Sequence, residues 1–262
     1  MASIALLPVK SLKATGTRKL APDVKASPDQ RTQKVNGDSS MRIFLVGALI
    51  GLWVSTAVAC EGQKGKVIFE DTFADDGGGW IFGGVLVFKA PGAEMRLSPS
   101  PEDSAKHVSN QTFSAGEGDY CLEIAFPHDQ PDRHFAVGLK FLVSADGQTY
   151  FTAIVSSHGT VGLVRHSAEE QRAVWSLDRF ANAKLGPGQF NAIEAIVKDN
   201  VITVVLNGVP VKSVRAQIPA GDLKFGIDAE AVANETVGAA FPVKSFKVTE
   251  ARKLASDAKT SP

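Results

Sequence analysis

The sequence predicts an all-β antiparallel sandwich, on three observations. From Lys66 onward the chain is a succession of short β-type runs separated by turn residues. No helical apolar periodicity of useful length lies between them. Asp146-Gly147, Asp199-Asn200 and Asn207-Gly208 stand between alternating apolar runs, where residues that tolerate positive φ close hairpins.

Read in order, the chain begins with a basic leader, residues 1–40, with seven Lys or Arg against three Asp and no apolar periodicity. Met41-Arg42 then precedes seventeen uncharged residues, Ile43 to Ala59, ending in Ala57-Val58-Ala59. A basic start, an apolar stretch and a small-x-small cleavage site are the grammar of a signal peptide cut between Ala59 and Cys60. Two readings of residues 1–40 stay open: an upstream start-site artefact before a true start at Met41, or a cytoplasmic tail whose apolar stretch, 43–59, is a signal anchor. Either way the expectation is that residues from Cys60 onward are exported, to a periplasmic or extracellular location.

The whole chain carries 28 basic and 28 acidic residues, but residues 60–262 carry 20 and 25, a net charge of −5. An acidic exported domain is a poor partner for nucleic acid or anionic membrane surfaces. Membrane association is expected only through the N-terminal segment or through a lipid on Cys60. Neutral ligands such as sugars remain open. With 44% hydrophobic residues, the chain is long and apolar enough to bury one core at 60–250, leaving 251–262 as a disordered tail.

The predicted strands fall at 66–73, 85–89, 119–126, 134–143, 150–156, 161–165, 172–177, 190–198, 201–206, 223–228 and 243–249. Alternation assigns their faces. Tyr120, Leu122, Ile124 and Phe126 point to the core, with Cys121, Glu123 and Ala125 opposite. Val137, Leu139, Phe141 and Val143 point in, with Ala136, Gly138, Lys140 and Leu142 out. Leu223, Phe225 and Ile227 repeat the pattern. The strand after Asn207-Gly208 contains Pro210, which lacks an N–H, so it reads as an edge or a late start. The strand order reads as mostly up-and-down.

Two cysteines, Cys60 and Cys121, leave a disulfide, a lipid-anchored Cys60 or free thiols as readings. Placing Cys121 on the face away from the core puts it within reach of the segment that begins at Cys60.

The segment FNAIEAIVKDNVITVVLNGVPVKSV, 190–214, resembles the late hairpin of concanavalin A-like lectin/glucanase jelly rolls. It is similar in particular to bacterial domains related to 3-keto-disaccharide hydrolases and to laminin G-like modules. FEDTFADDGGGW, 69–80, and GLKFLVSADGQTYFTAIVSSHGTVGLVRH, 138–166, fit the same pattern, so the likeness runs from about 67 to 249. The resemblance implies two curved antiparallel sheets with carbohydrate as the commonest ligand of the concave one.

Catalytic motifs are sparse. A glycosidase needs two carboxylates flanking the scissile bond, and the Glu-x-Asp-x-x-Glu string of jelly-roll glucanases is absent. Glu123 stands alone, and Asp228-Ala229-Glu230 lacks the closing acid, since Ala233 stands in its place and Glu235 follows. This segment reads as a solvated strand end. No Gly-x-Ser-x-Gly elbow is present, and Cys121 reads as oxidised rather than nucleophilic. Glu70, Asp71, Asp75 and Asp76, beside Gly77-Gly78-Gly79, are weak calcium candidates without a fixed ligand spacing. The loop PHDQPDRH, with His128, Asp129, Asp132 and His134, reads as an exposed turn rather than a metal site. His107, His158 and His166 are scattered singly. Among the rings, Trp80 and Trp175 fit the core, and Tyr150, beside the Asp146-Gly147 turn, is the candidate ligand contact.

No catalytic residue and no required cofactor is therefore assigned. The leading expectation is a non-catalytic module binding glycan or another cell-envelope ligand. The alternatives are a glycoside hydrolase related to the 3-keto-disaccharide hydrolases and a structural envelope domain without a small ligand.

Overall fold

The computed structural model describes residues 60, 62–75, 78–80, 85–89, 91–97, 105–128, 134–231 and 238–252. The leader, the apolar stretch with Ala59, the calcium candidate Asp76 and the acids Asp129, Asp132 and Glu235 lie outside them.

Among the described residues fourteen strands form two antiparallel sheets. The eight-stranded sheet contains β12 (Val209–Arg215), β11 (Val201–Leu206), β10 (Phe190–Lys198), β5 (Gly118–Ala125), β14 (Ala240–Thr249), β3 (Ala93–Arg96) and β2 (Leu86–Phe88) in that order, with β1 (Val67–Asp71) also paired to β14. The six-stranded sheet runs β4 (Ala105–Ser109), β13 (Lys224–Ala231), β6 (Phe135–Val143), β7 (Tyr150–Ser156), β8 (Val161–His166) and β9 (Gln171–Leu177). Only β6 to β9 and β10 to β12 are the up-and-down meanders the sequence predicts. β2 and β3 form a further hairpin, and the connections β3–β4, β4–β5, β5–β6, β9–β10, β12–β13 and β13–β14 cross between sheets, with β5 flanked by β10 and β14 from far along the chain.

The predicted faces of β5 hold: Tyr120, Leu122, Ile124 and Phe126 join the inter-sheet core, and Cys121 points outward. The Tyr120 hydroxyl donates to the carbonyls of Ala115 and Gly116, which satisfies the one polar atom of a fully buried ring. In β6 the alternation fails at its end. Leu142, expected outside, is fully buried, because a bulge opposite Lys224 and Gly226 places it at φ 53° and turns its side chain inward. Trp80 and Trp175 are core rings, as expected. Trp80 also donates from Nε1 to Asp71 Oδ2 at 2.7 Å.

Asp199-Asn200 and Asn207-Gly208 all have positive φ, matching the hairpins read from the sequence. β12, with Pro210, is an edge strand with a bulge opposite Val204 and Val205. Two short strands, β3 and β4, had no sequence signal. In β4 Val108 is the buried apolar side chain among the polar Lys106, His107 and Ser109.

Cys60 and Cys121 form a disulfide on the outer face of the eight-stranded sheet, where both are buried beside Ala192. The same sulfur cannot also carry a thioether-linked lipid, so disulfide and lipid anchor at Cys60 are mutually exclusive. At the other end Arg252, inside the stretch read as a tail, bridges two carboxylates of that face, contacting Asp119 Oδ2 at 3.2 Å and Glu194 Oε2 at 2.5 Å.

Candidate functional site

The strongest concentration of functional side chains lies on the outer face of the six-stranded sheet. There, residues standing side by side across β4, β13, β6, β7 and β8 form rows. Ser109, Gly226, Lys140, Thr152 and Val164 make one; His107, Asp228, Gly138, Ile154 and Gly162 make the next. Tyr150 and His166 are paired one step beyond the first row.

The β6–β7 turn sets the position of Tyr150. Asp146 Oδ1 accepts from Ser144 Oγ at 2.5 Å and from Gln148 N at 3.0 Å, and Gly147 takes φ 72°. The bond from Ser144, then that from Gln148, lowers the Asp146 carboxyl below its ordinary range, so the turn is held by an ionised side chain. Tyr150 therefore enters β7 with its ring on the outer face. His166 stacks on it from the β8 side, with centroids 4.1 Å apart and planes 10° apart. From the β6 side the Lys140 ammonium lies 3.9 Å from the ring centroid. Both faces of Tyr150 are thus occupied within the protein. The predicted ligand contact can offer its hydroxyl edge but no stacking face, and His166 stands half-buried between it and Gln171 of β9.

Thr152 reaches across β6. Its hydroxyl donates to Asp228 Oδ2 at 2.8 Å, spanning from β7 to β13. The intervening strand permits this because Gly138 has no side chain: a Cβ there would stand 2.5 Å from Thr152 Cγ2. Gly138→Ala is accordingly expected to displace Thr152, release Asp228 and cost about 1–3 kcal/mol by overpacking, measured by urea unfolding. Unchanged stability together with unchanged ligand binding would contradict this role for Gly138.

Electrostatics tune the cluster. Burial pulls the Lys140 ammonium below its ordinary pKa, and Asp228 partly restores it. Loss of hydration to the surrounding protein, then the Lys140 charge, lowers His107, which keeps solvent contact; burial also lowers His166. Glu230 keeps solvent contact, but loss of hydration to the surrounding protein, then the Asp228 charge, holds its carboxyl above the ordinary range. Burial first, then Asp228 and Glu230, pushes the Tyr150 hydroxyl up to about 12, so it remains a proton donor at any physiological pH. The segment Asp228-Ala229-Glu230, read as a solvated strand end, therefore belongs to this cluster.

A concavity of about 420 Å³ lies on the outer face of the opposite sheet beside Cys60 and Phe190. Its charged groups pair among themselves: Lys244 with Glu123 at 3.2 Å, Ser245 Oγ donating to Glu123 at 2.7 Å, and Lys247 with Glu70 at 3.1 Å.

Of the calcium candidates, Asp76 lies outside the described residues, and two others have partners within the protein. Glu70 faces Lys247, whereas Asp71 accepts from Phe73 N and Trp80 Nε1 toward the core. Among the described residues no group of three His, Cys, Asp or Glu side chains is placed to hold a metal ion. His134 packs edge-on to His158 at 4.0 Å, a pairing across the β6 and β7–β8 region that sequence spacing did not reveal.

The fold is shared with solved structures of distant sequence. The carbohydrate-binding module CBM66 of Bacillus subtilis superposes with a TM-score of 0.51 at 12% identity, covering 66% of this chain and 96% of that one. A Bacillus licheniformis β-glucanase gives 0.52 at 12% identity, over 72% and 100%. The laminarinase catalytic domain of Thermotoga maritima gives 0.54 at 8% identity, over 73% and 100%. The fold is a concanavalin A-like sandwich. At these identities the likeness establishes architecture alone, because one such sandwich hosts both binding modules and hydrolases. No protein-family model and no curated protein matches the chain.

Proposed function

We propose that this protein is an exported, non-catalytic module that binds glycan, or a similar hydroxyl-rich ligand of the cell envelope, on the outer face of its six-stranded sheet. The observation that carries this reading is the clustering of His166, Tyr150, Lys140, Thr152 and Asp228 on one face, half-buried rings next to fixed donors and acceptors. Sugar recognition uses just this pairing of a flat apolar surface with a few oriented polar groups. The signal-like stretch before Cys60 and the disulfide support an oxidising, exported location. Architectural neighbours named as a carbohydrate-binding module and as glucanases are consistent with a glycan ligand.

A glycan array joined to a hydrolysis screen on the disulfide-bonded protein tests the reading. Binding without turnover is expected, and His166→Ala is expected to weaken it about tenfold, equivalent to ~1.4 kcal/mol. A blank array, or binding indifferent to His166, would end the proposal for this face.

One observation favours a catalytic reading. Glu230 stands two residues from Asp228 on the same face of β13, a pair of acids side by side of the kind a glycosidase uses. Turnover in the screen that disappears in both Glu230→Gln and Asp228→Asn would establish it in place of the binding module.

A further inference from the structure

Lys140 is 2% exposed, and its side chain runs outward through the sheet face rather than into the core. Its ammonium makes no hydrogen bond and no ion pair within 4.0 Å with any described residue; the π face of Tyr150 is its contact. A nearly buried cation lacking an acceptor for its three N–H groups is costly, since a ring quadrupole replaces only part of the lost hydration. The ammonium is nevertheless not sealed, because it is not among the side-chain atoms cut off from solvent without a partner. The β13 neighbour in its row is Gly226, which has no side chain to pair with the ammonium. No other residue fits there, because the Val108 carbonyl oxygen of β4 lies 2.0 Å from where a Cβ on Gly226 would stand.

Asp228 does not fill the vacant role. It stands beyond ion-pair distance from Lys140, and its Oδ2 is engaged by Thr152. What remains of Asp228 is an acceptor suited to a ligand hydroxyl. Glu230, the other acid of the face, is exposed at the far end of β13 and has no hydrogen bond to Lys140.

We propose that Lys140 is the anchor for a carboxylate on the bound sugar, so that the site selects uronic acid residues over their neutral counterparts. This rests on the glycan-binding reading above and narrows its ligand class. The uronate carboxylate would meet the ammonium at its solvent-reached side, while Asp228 accepts from a ring hydroxyl and His166 lies against the sugar.

The test is calorimetric titration of the disulfide-bonded protein with oligogalacturonate, oligoglucuronate and oligomannuronate, each against its methyl ester and its neutral hexose oligomer. The methyl ester keeps the shape and removes the charge, so the comparison needs no variant. At least one free uronate is expected to bind about tenfold or more tightly than its ester, with an affinity that falls as salt rises. Lys140→Gln is expected to abolish that preference and Lys140→Arg to retain part of it; a shift of the Lys140 Nζ resonance on adding the uronate reports the contact directly in the unaltered protein. Equal or better binding of esters and neutral oligomers, still sensitive to His166→Ala, would overturn the uronate assignment and leave glycan binding standing. Absence of binding by every oligomer, charged or neutral, would overturn both.

Discussion

The Cys60→Ala, Cys121→Ala double variant is expected to be less stable than the oxidised protein by about 4 kcal/mol. The bond joins residues 61 apart in sequence, and closing a loop of that length removes entropy from the unfolded chain by about this amount at 25 °C. The consequence is local as well as global. Cys60 and Gln63 lie over β5, where Gln63 Nε2 donates to the Asp119 carbonyl oxygen at 3.0 Å and to Asp119 Oδ1 at 2.9 Å. Without the covalent tie, this N-terminal arm is held only by such contacts, and its amides are expected to exchange with solvent well before those of β5 and β10. Urea unfolding with and without reductant, joined to hydrogen exchange, measures both effects. Coincident unfolding curves would show that the disulfide contributes nothing to the fold.

The second large effect concerns the carboxylates under Arg252. Glu194 is 2% exposed and Asp119 fully buried on the outer face of the eight-stranded sheet, and Arg252 bridges them. Burial, then the neighbouring Asp119 charge, pushes Glu194 from 4.5 up to about 7, with Arg252 opposing. Burial raises Asp119 in the same direction. A carboxyl that binds its proton more tightly when folded stabilises the fold fully below the unfolded value near 4.5, and that contribution is lost as pH rises through about 7. The loss attributable to Glu194 is about 3 kcal/mol between these limits.

His107 and His166, held below their ordinary range, act with the opposite sign near pH 6, so the informative comparison is between the protein and Glu194→Gln across pH 4 to 8. The glutamine variant is expected to gain stability relative to the parent as pH rises. Arg252→Ala should cost about 3 kcal/mol at pH 8, where it strands two buried charges, and clearly less at pH 5, where Glu194 is protonated. Urea midpoints that differ by the same amount at both pH values would refute this account of the cluster.

Arg252 also shows where sequence reading reaches its limit. ARKLASDAKTSP is small and polar throughout, and nothing in its composition separates Arg252 from the residues after it. Its role depends on Asp119 and Glu194, which meet only because β5 and β10 pair side by side. Leu142 shows another limit. Strict alternation places it outside, and only the bulge against β13 reverses it.

The functional face was partly legible. Alternation placed Lys140 outward, the turn before Tyr150 marked that residue as a candidate contact, and Asp228 and Glu230 drew attention as an incomplete acid motif. What was missing was register. His107 and His166 looked scattered because they lie far apart in sequence, yet β4 pairs with β13 and β8 with β7, so both flank the same small area. The glycines carried a readable signal whose meaning was not: Gly138 and Gly226 fall on the outward face, but the reasons for them, Thr152 beside Gly138 and the Val108 carbonyl beside Gly226, lie on neighbouring strands.

By itself the sequence determined the all-β class, the alternating core positions, the hairpin turns and a cysteine pair compatible with a disulfide. These follow from local physics: side-chain period in an extended strand, the φ tolerance of Asn and Gly, and burial of apolar surface. Only the tertiary structure decided the jelly-roll crossovers, the Arg252 clasp and the assembly of Lys140, Tyr150, Thr152, His166 and Asp228. Each of these depends on which distant strands become neighbours, a choice made by the packing of the whole core that no local run of residues contains.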